Sequence, residues 1–192
     1  MKLLLYCTKS KPYLIQGFAR PFHTKDTTNP FNYKWRLMNY KTQNALNGKV
    51  VGECDFEVEE IKRINTVGDW FCYENQDEIM EKSKLDVNKF FDYLQGKNGY
   101  AIHIKNLTIF DTPKPLQLYS SMQEEYKAIE KAPQNMCNAY YDEGTKHYIL
   151  ISIRPEWLCK ILNGEKTVEI RKKVLRRMLY DIKIIWDVRD FI

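Results

Sequence analysis

Lys166, Thr167, Glu169 and Arg171 bring a carboxylate, two cations and a hydroxyl into one short stretch of chain just after Gly164. If that stretch is a strand, its period of two puts Thr167, Glu169 and Arg171 on one face and turns Val168 and Ile170 to the core. Glu169 could then accept hydrogen bonds from a base amino group, and Arg171 could hold a phosphate or a carbonyl in bidentate fashion. Lys166 falls in the preceding turn, free to swing over the same cleft. Partly buried beside Arg171, its pKa would fall, as a general base requires. Glu169 with a water molecule offers a second base. The same four residues on an exposed face would be no more than surface ion pairs of small energetic value. Spacing alone leaves both readings open.

The elements that must position these side chains can be read on either side. His147 to Ile153 is β-branched and apolar, a strand. Pro155 fits the first helical position and Glu156 the first turn. Trp157, Leu158, Ile161 and Leu162 share one helical stripe, and Gly164 ends the helix. The order is strand, helix, glycine turn, strand over Ile151 to Arg171, followed by a short basic helix and a last strand, Ile182 to Val188.

Upstream, Lys2 to Thr8 reads as a buried strand. Val50 to Glu59 is a half-buried strand with an acidic outer face, Glu53, Asp55, Glu57 and Glu59. One helix is expected over Asp77 to Lys82. Another is capped by Asp86, stapled by Leu85 and Phe90, apolar along Val87, Phe90, Phe91 and Leu94, and stopped at Gly96. Gly99 to Phe110 alternates as a strand, which Asp111 to Pro115 breaks. Ser120 to Lys131 suits a helix, and Pro133 to Asn138 a loop. Residues 10–46 are rich in Asn, Thr, Lys and aromatics; they read as an insertion or long ordered loop in a single domain spanning 1–192.

Composition narrows the classes. The chain has 192 residues, is 44% hydrophobic and 29% charged, and so can bury a core. No apolar run is long enough for a membrane helix, and the start lacks the marks of a signal peptide. Five cysteines without a CxxC pair point to reduced thiols in the cytoplasm. The three histidines are scattered, so no metal site and no cofactor are expected. The net charge is +5, with a basic concentration from Lys160 to Arg177 that could neutralise phosphates or form a solvated helix end.

Gly164, Lys166, Glu169 and Arg171 also match the Gly-x-Lys-x-x-Glu-x-Arg signature of ASCH domains, and Ser152-Ile-Arg-Pro with its helix resembles the segment before that signature. Leu4 to Lys9, Gly48 to Glu53, Gly99 to Ile104, Pro113-Lys114-Pro115 and Ala132 to Asn135 are similar to other family segments. Together they cover roughly half the chain, leaving out residues 10–46. In the family the signature strand comes first; here it comes last. The resemblance therefore implies an α+β fold built on a circularly permuted PUA-like β-barrel with flanking helices.

It further implies a cleft for RNA, a nucleotide or a modified nucleoside, lined by Lys166, Thr167, Glu169, Arg171, Arg154, Thr8, Lys9 and Tyr100, with Tyr100 or Trp157 available for stacking. Small family members are amidohydrolases acting on N4-acetylcytidine through a Lys, a Thr three residues later and a distant Glu. Lys166 matches the first and Glu169 stands where the Thr would be, which makes Lys166 and Glu169 the candidate catalytic pair. Glu53 and Glu57 are candidates for the distant acid. A third expectation is a protein-binding effector, since such chains resemble phage proteins of Gram-positive bacteria; its partner would be a host nuclease or defence system, met by the aromatic segment 10–46.

Overall fold

The structure is a computed structural model that describes residues 1–8, 48–65, 71–121, 127–141 and 146–179. Lys9, the insertion expected at 10–46 and the strand expected at 182–188 lie outside the described residues. The fold is α+β. Its strands are β1 (Lys2–Cys7), β2 (Lys49–Ile61), β3 (Arg63–Asn65), β4 (Phe71–Tyr73), β5 (Gly99–Pro115), β6 (Met136–Tyr141), β7 (Lys146–Ile153) and β8 (Val168–Arg171). Its helices include α1 (Gln76–Ser83), α2 (Val87–Leu94) and α3 (Pro155–Leu162).

Six strands form a mixed sheet in the order β6-β7-β1-β2-β5-β8, and β3 and β4 form a hairpin. β1 runs parallel to β7 and antiparallel to β2. This is an open sheet, not the closed barrel expected. Among the described residues β6 and β8 are its two ends and do not pair with each other. β8 is only four residues long. The amide just before it, at Thr167, donates to the Lys82 carbonyl of α1 at 3.0 Å, so a helix end occupies the place of a further strand.

The chain divides into two compact units. The first holds Met1–Cys54 and Leu107–Gly164. Its core joins Leu4, Tyr6, Val50, Leu116, Tyr119, Ile129, Ala139 and Leu150. Tyr119 packs on Tyr141 and Tyr148 with ring centroids 5.6 and 6.4 Å away, and burial pushes its hydroxyl pKa up. α3 begins as its proline predicts and buries Leu158, Cys159, Ile161 and Leu162. Trp157, expected on that stripe, is only half-buried, with the Lys160 ammonium 5.0 Å over its ring.

Two segments of this unit differ from expectation. A helix was expected over Ser120 to Lys131; its centre, 122–126, lies outside the described residues, and its described ends pair instead as sheet, with Ser120 bridged to Ala128 and to Tyr140 and the Ile129 amide donating to the Tyr119 carbonyl. The neighbouring edge strand satisfies these backbone groups, so local helix propensity loses to sheet pairing. That edge is β6, whose start had read as a loop after Pro133. β5 also continues through Asp111 to Pro115 instead of breaking. Its ladder to β8 ends at Ile104, whose amide donates to the Thr167 carbonyl, so beyond it one side of β5 needs no amide and tolerates proline.

Gly52 of β2 explains itself by close approach. A Cβ there would sit 2.6 Å from the Thr108 carbonyl oxygen, a backbone atom that cannot swing away. Gly52→Ala is expected to lower stability by about 1–3 kcal/mol, the usual cost of overpacking, read as a fall in the urea midpoint.

The second unit holds Asp55–Asn106 and Glu165–Ile192. Its core joins Ile61, Tyr73, Ile79, Phe90, Leu94, Ala101, Val168 and Ile170. Asp86 caps α2 as expected, its carboxylate accepting from the Lys89 amide at 2.9 Å. Leu85 packs onto the same core as Phe90. Val87, expected on the apolar face, is instead 55% exposed: it opens the helix, at the rim, and Leu85 takes its place from outside.

Candidate functional site

β8 carries the expected constellation in the second unit. Its register against β5 pairs Arg171 with Tyr100, Ala101 with Ile170, Ile102 with Glu169 and His103 with Val168. Directly opposed residues share a face. Tyr100, Ile102, Glu169 and Arg171 therefore stand on one side, while Val168 and Ile170 enter the apolar core on the other. The alternation read from the sequence holds.

The degree of burial does not follow the expectation. Lys166 is 3% exposed and Glu169 8%. Lys166 does not swing in a turn. Its Nζ donates to the Ser83 carbonyl at 2.8 Å and lies 3.3 Å from Glu169 Oε2. Glu169 Oε1 is 2.9 Å from Arg171 Nη2. The result is a linear network of helix end, ammonium, carboxylate and guanidinium. Ser83 is the last residue of α1, and Lys84 after it is left-handed, with φ 56°. A helix leaves its last carbonyls unpaired and its C-terminus partly negative, so the Lys166 cation both satisfies an orphan acceptor and complements the dipole.

This geometry assigns different roles along the network. Lys166 donates to a main-chain carbonyl and is paired with a carboxylate, so its ammonium group is occupied by protein partners. Glu169 has both oxygens engaged, which keeps it from freely activating water. Arg171 lies at the more accessible end of the network, opposite the half-buried Tyr100. Thr167 is exposed; its backbone, not its hydroxyl, is fixed, between Lys82 and Ile104.

The remaining sequence candidates fall elsewhere. Thr8 and Arg154 come together in the first unit, at the paired ends of β1 and β7, where the Thr8 amide donates to the Ile153 carbonyl at 3.0 Å. Lys9 is outside the described residues. Glu53 is also in the first unit, bridged to Lys2 at 2.9 Å. Glu57 is exposed and pairs with Lys105 at 2.6 Å, and the lysine holds its carboxyl below the usual range. Lys105 and Ile102 stand on opposite faces of β5, so Glu57 is turned away from Glu169 and is not its catalytic partner. Asp55 and Glu59 likewise face Asn106 and His103, which makes the acidic face of β2 a cross-strand ladder.

Sequence reading missed Ser83. Its contribution is a main-chain carbonyl, which no residue type announces; the only cue is its place in the last turn of a helix. Two of the thiols are poor nucleophiles. Burial pushes Cys7 up to about 12 and Cys137 up to about 11, so both are protonated at neutral pH. Among the described residues no group of three or more His, Cys, Asp or Glu is placed to hold a metal ion, and no helix is long and apolar enough to cross a membrane. No protein-family model, curated protein or solved structure matches this chain.

Proposed function

We propose that this protein is a divergent, circularly permuted ASCH-type module with an open sheet, and that it binds RNA or a nucleotide on the β5–β8 face of its second unit. The observation that carries the reading is the buried network Lys166–Glu169–Arg171 ending beside Tyr100. Burying a lysine and a glutamate beside a half-buried arginine is an inefficient way to stabilise a fold, since apolar side chains of similar volume do as well or better. Such an arrangement makes sense where a guanidinium must be held in one orientation.

In this reading Arg171 contacts a phosphate or a base carbonyl and Tyr100 stacks on a base, while Lys166 and Glu169 position Arg171. Binding is favoured over amide hydrolysis because Lys166 is committed as a donor. The setting would be intracellular, which suits five cysteines without a CxxC pair.

The test is fluorescence anisotropy with short single-stranded RNA and with pyrimidine nucleotides, at low and moderate salt. Tyr100→Ala leaves every ion pair of the network intact and is expected to cost roughly 1–3 kcal/mol of binding, the worth of one stacked base. Arg171→Gln should weaken binding and flatten its salt dependence. A folded wild type that binds neither probe in a salt-sensitive way would sink the reading.

A further inference from the structure

Beyond the Arg171 end of β8, the second unit carries two exposed aromatic rings, each with a cation over it, and both cations are tied to one loop. Phe71 is 41% exposed and Tyr93 38%. The Arg63 guanidinium carbon lies 4.0 Å over the Phe71 ring, and the Lys172 ammonium 5.3 Å over the Tyr93 ring. Arg63 Nη1 donates to the Gly96 carbonyl at 3.2 Å, and its amide donates to Asn98 Oδ1 at 3.0 Å. Lys172 Nζ donates to Gln95 Oε1 at 3.2 Å.

The loop itself is rigidly specified. Gln95 and Gly96 are both left-handed, with φ 54° and 69°, and end α2. The Phe71 ring rests against Gly96, where a Cβ would come within 3.2 Å of it. The exposed Lys97 adds a third cation to this loop. Acids nearby include Asp92, one residue before Tyr93, Glu74, whose amide donates to the carbonyl of Lys62 beside Arg63, and Glu60, which accepts from Asn98 at 3.3 Å. Lys172 directly follows Arg171, and Gly99 at the end of the loop packs against the Arg171 carbonyl.

Two surface cation–π pairs alone would mean little. Fixed by a single loop at the end of the strand that bears Arg171, they have the composition of a single-strand platform: flat faces for unpaired bases and cations for the phosphates between them. Arg63, stacked on Phe71, is exposed and offers its outer side to a base, as guanidinium planes do in single-stranded recognition. Lys172, with its ammonium group held out over Tyr93, suits a phosphate. A protein partner would use the apolar rings uncovered by cations, and a duplex would keep its bases out of reach.

We infer that Arg63–Phe71 and Lys172–Tyr93, joined by the Gln95–Lys97 loop, form a subsite for the nucleotides flanking the one at Arg171 and Tyr100. The ligand is then a single-stranded polynucleotide, not a free nucleoside. This rests on the reading of the Arg171 end of β8 as a ligand site.

The experiment measures binding of the full chain to a labelled oligouridylate, the matching duplex and uridine monophosphate. Wild type is compared with Arg63→Gln/Lys172→Gln and with Tyr100→Ala. Both glutamine positions are exposed, so the double variant should melt with the wild type. The expected result is oligouridylate weakened on the order of tenfold by the double variant, with a salt slope lower by about 0.7 for each phosphate no longer neutralised, and mononucleotide binding unchanged. Equal oligouridylate binding by wild type and double variant overturns the subsite, as does a preference for the duplex; weaker binding by Tyr100→Ala would then leave the β5–β8 reading standing. If the double variant loses affinity and Tyr100→Ala does not, the platform holds and the reading at Arg171 falls. Absence of oligouridylate binding by the wild type overturns the platform, and the mononucleotide arm decides the other reading separately.

Discussion

Glu169→Ala is expected to lower the unfolding free energy by about 3–5 kcal/mol, the cost of removing one partner from a buried charge network. The carboxylate stands between two cations, with Lys166 on one oxygen and Arg171 on the other. Its removal leaves two like charges in a water-poor site with nothing between them. Chemical denaturation of wild type and variant measures the effect. Thr167→Ala, at the exposed neighbouring position, is the control and should stay within about 0.5 kcal/mol. A second variant separates stability from function. Lys166→Met/Glu169→Leu/Arg171→Met replaces the whole network with apolar groups and should match or exceed the wild type in stability, yet bind no nucleotide. A change below about 1 kcal/mol for Glu169→Ala, the range of exposed ion pairs, would mean that water already screens the network, and the case for a held guanidinium would fail with it.

Phe90→Ala should cost a similar amount, about 3–5 kcal/mol. Phe90 is fully buried at the centre of the second unit. It meets Tyr73 edge-on with centroids 5.4 Å apart and Phe91 edge-on at 5.6 Å. Each such ring pair adds roughly 0.5–1.5 kcal/mol to plain area burial. Val87→Ala on the same helix should change stability by less than about 0.5 kcal/mol, because Val87 faces solvent. The pair of measurements tests the core assignment directly, since both residues fall on one helical stripe by sequence spacing. The consequence for the site follows from packing. Ile79 of α1 and Val168 and Ile170 of β8 join Phe90 in one cluster, and α1 delivers the Ser83 carbonyl to Lys166. On the proposed function, a cavity at Phe90 should therefore weaken nucleotide binding as well as folding.

Much of the local structure was legible because it depends on neighbours in sequence. Asp86 as a cap, Pro155 as a helix start, Gly96 and Gly164 as left-handed stops, and the alternation of β8 follow from short-range sterics and hydrogen bonding. β6 and the bridge at Ser120 were not legible, since their backbone pairs with strands far along the chain. Closure into a barrel was likewise not a local question: whether β8 meets another strand or a helix end depends on where α1 lies.

The candidate site divides in the same way. By itself, the sequence determined which side chains share the β8 face, because pleating alternates them whatever the surroundings. Only the tertiary structure decided that Lys166 and Glu169 are buried on that face, that Lys166 is bound to a helix carbonyl 83 residues away in the chain, and that Glu57 looks the other way. Burial and ion pairing arise from elements that meet in space, and a one-dimensional pattern holds no term for them. Hence the same motif reads as a mobile lysine along the chain and as a buried ion pair anchored to a helix end in the fold.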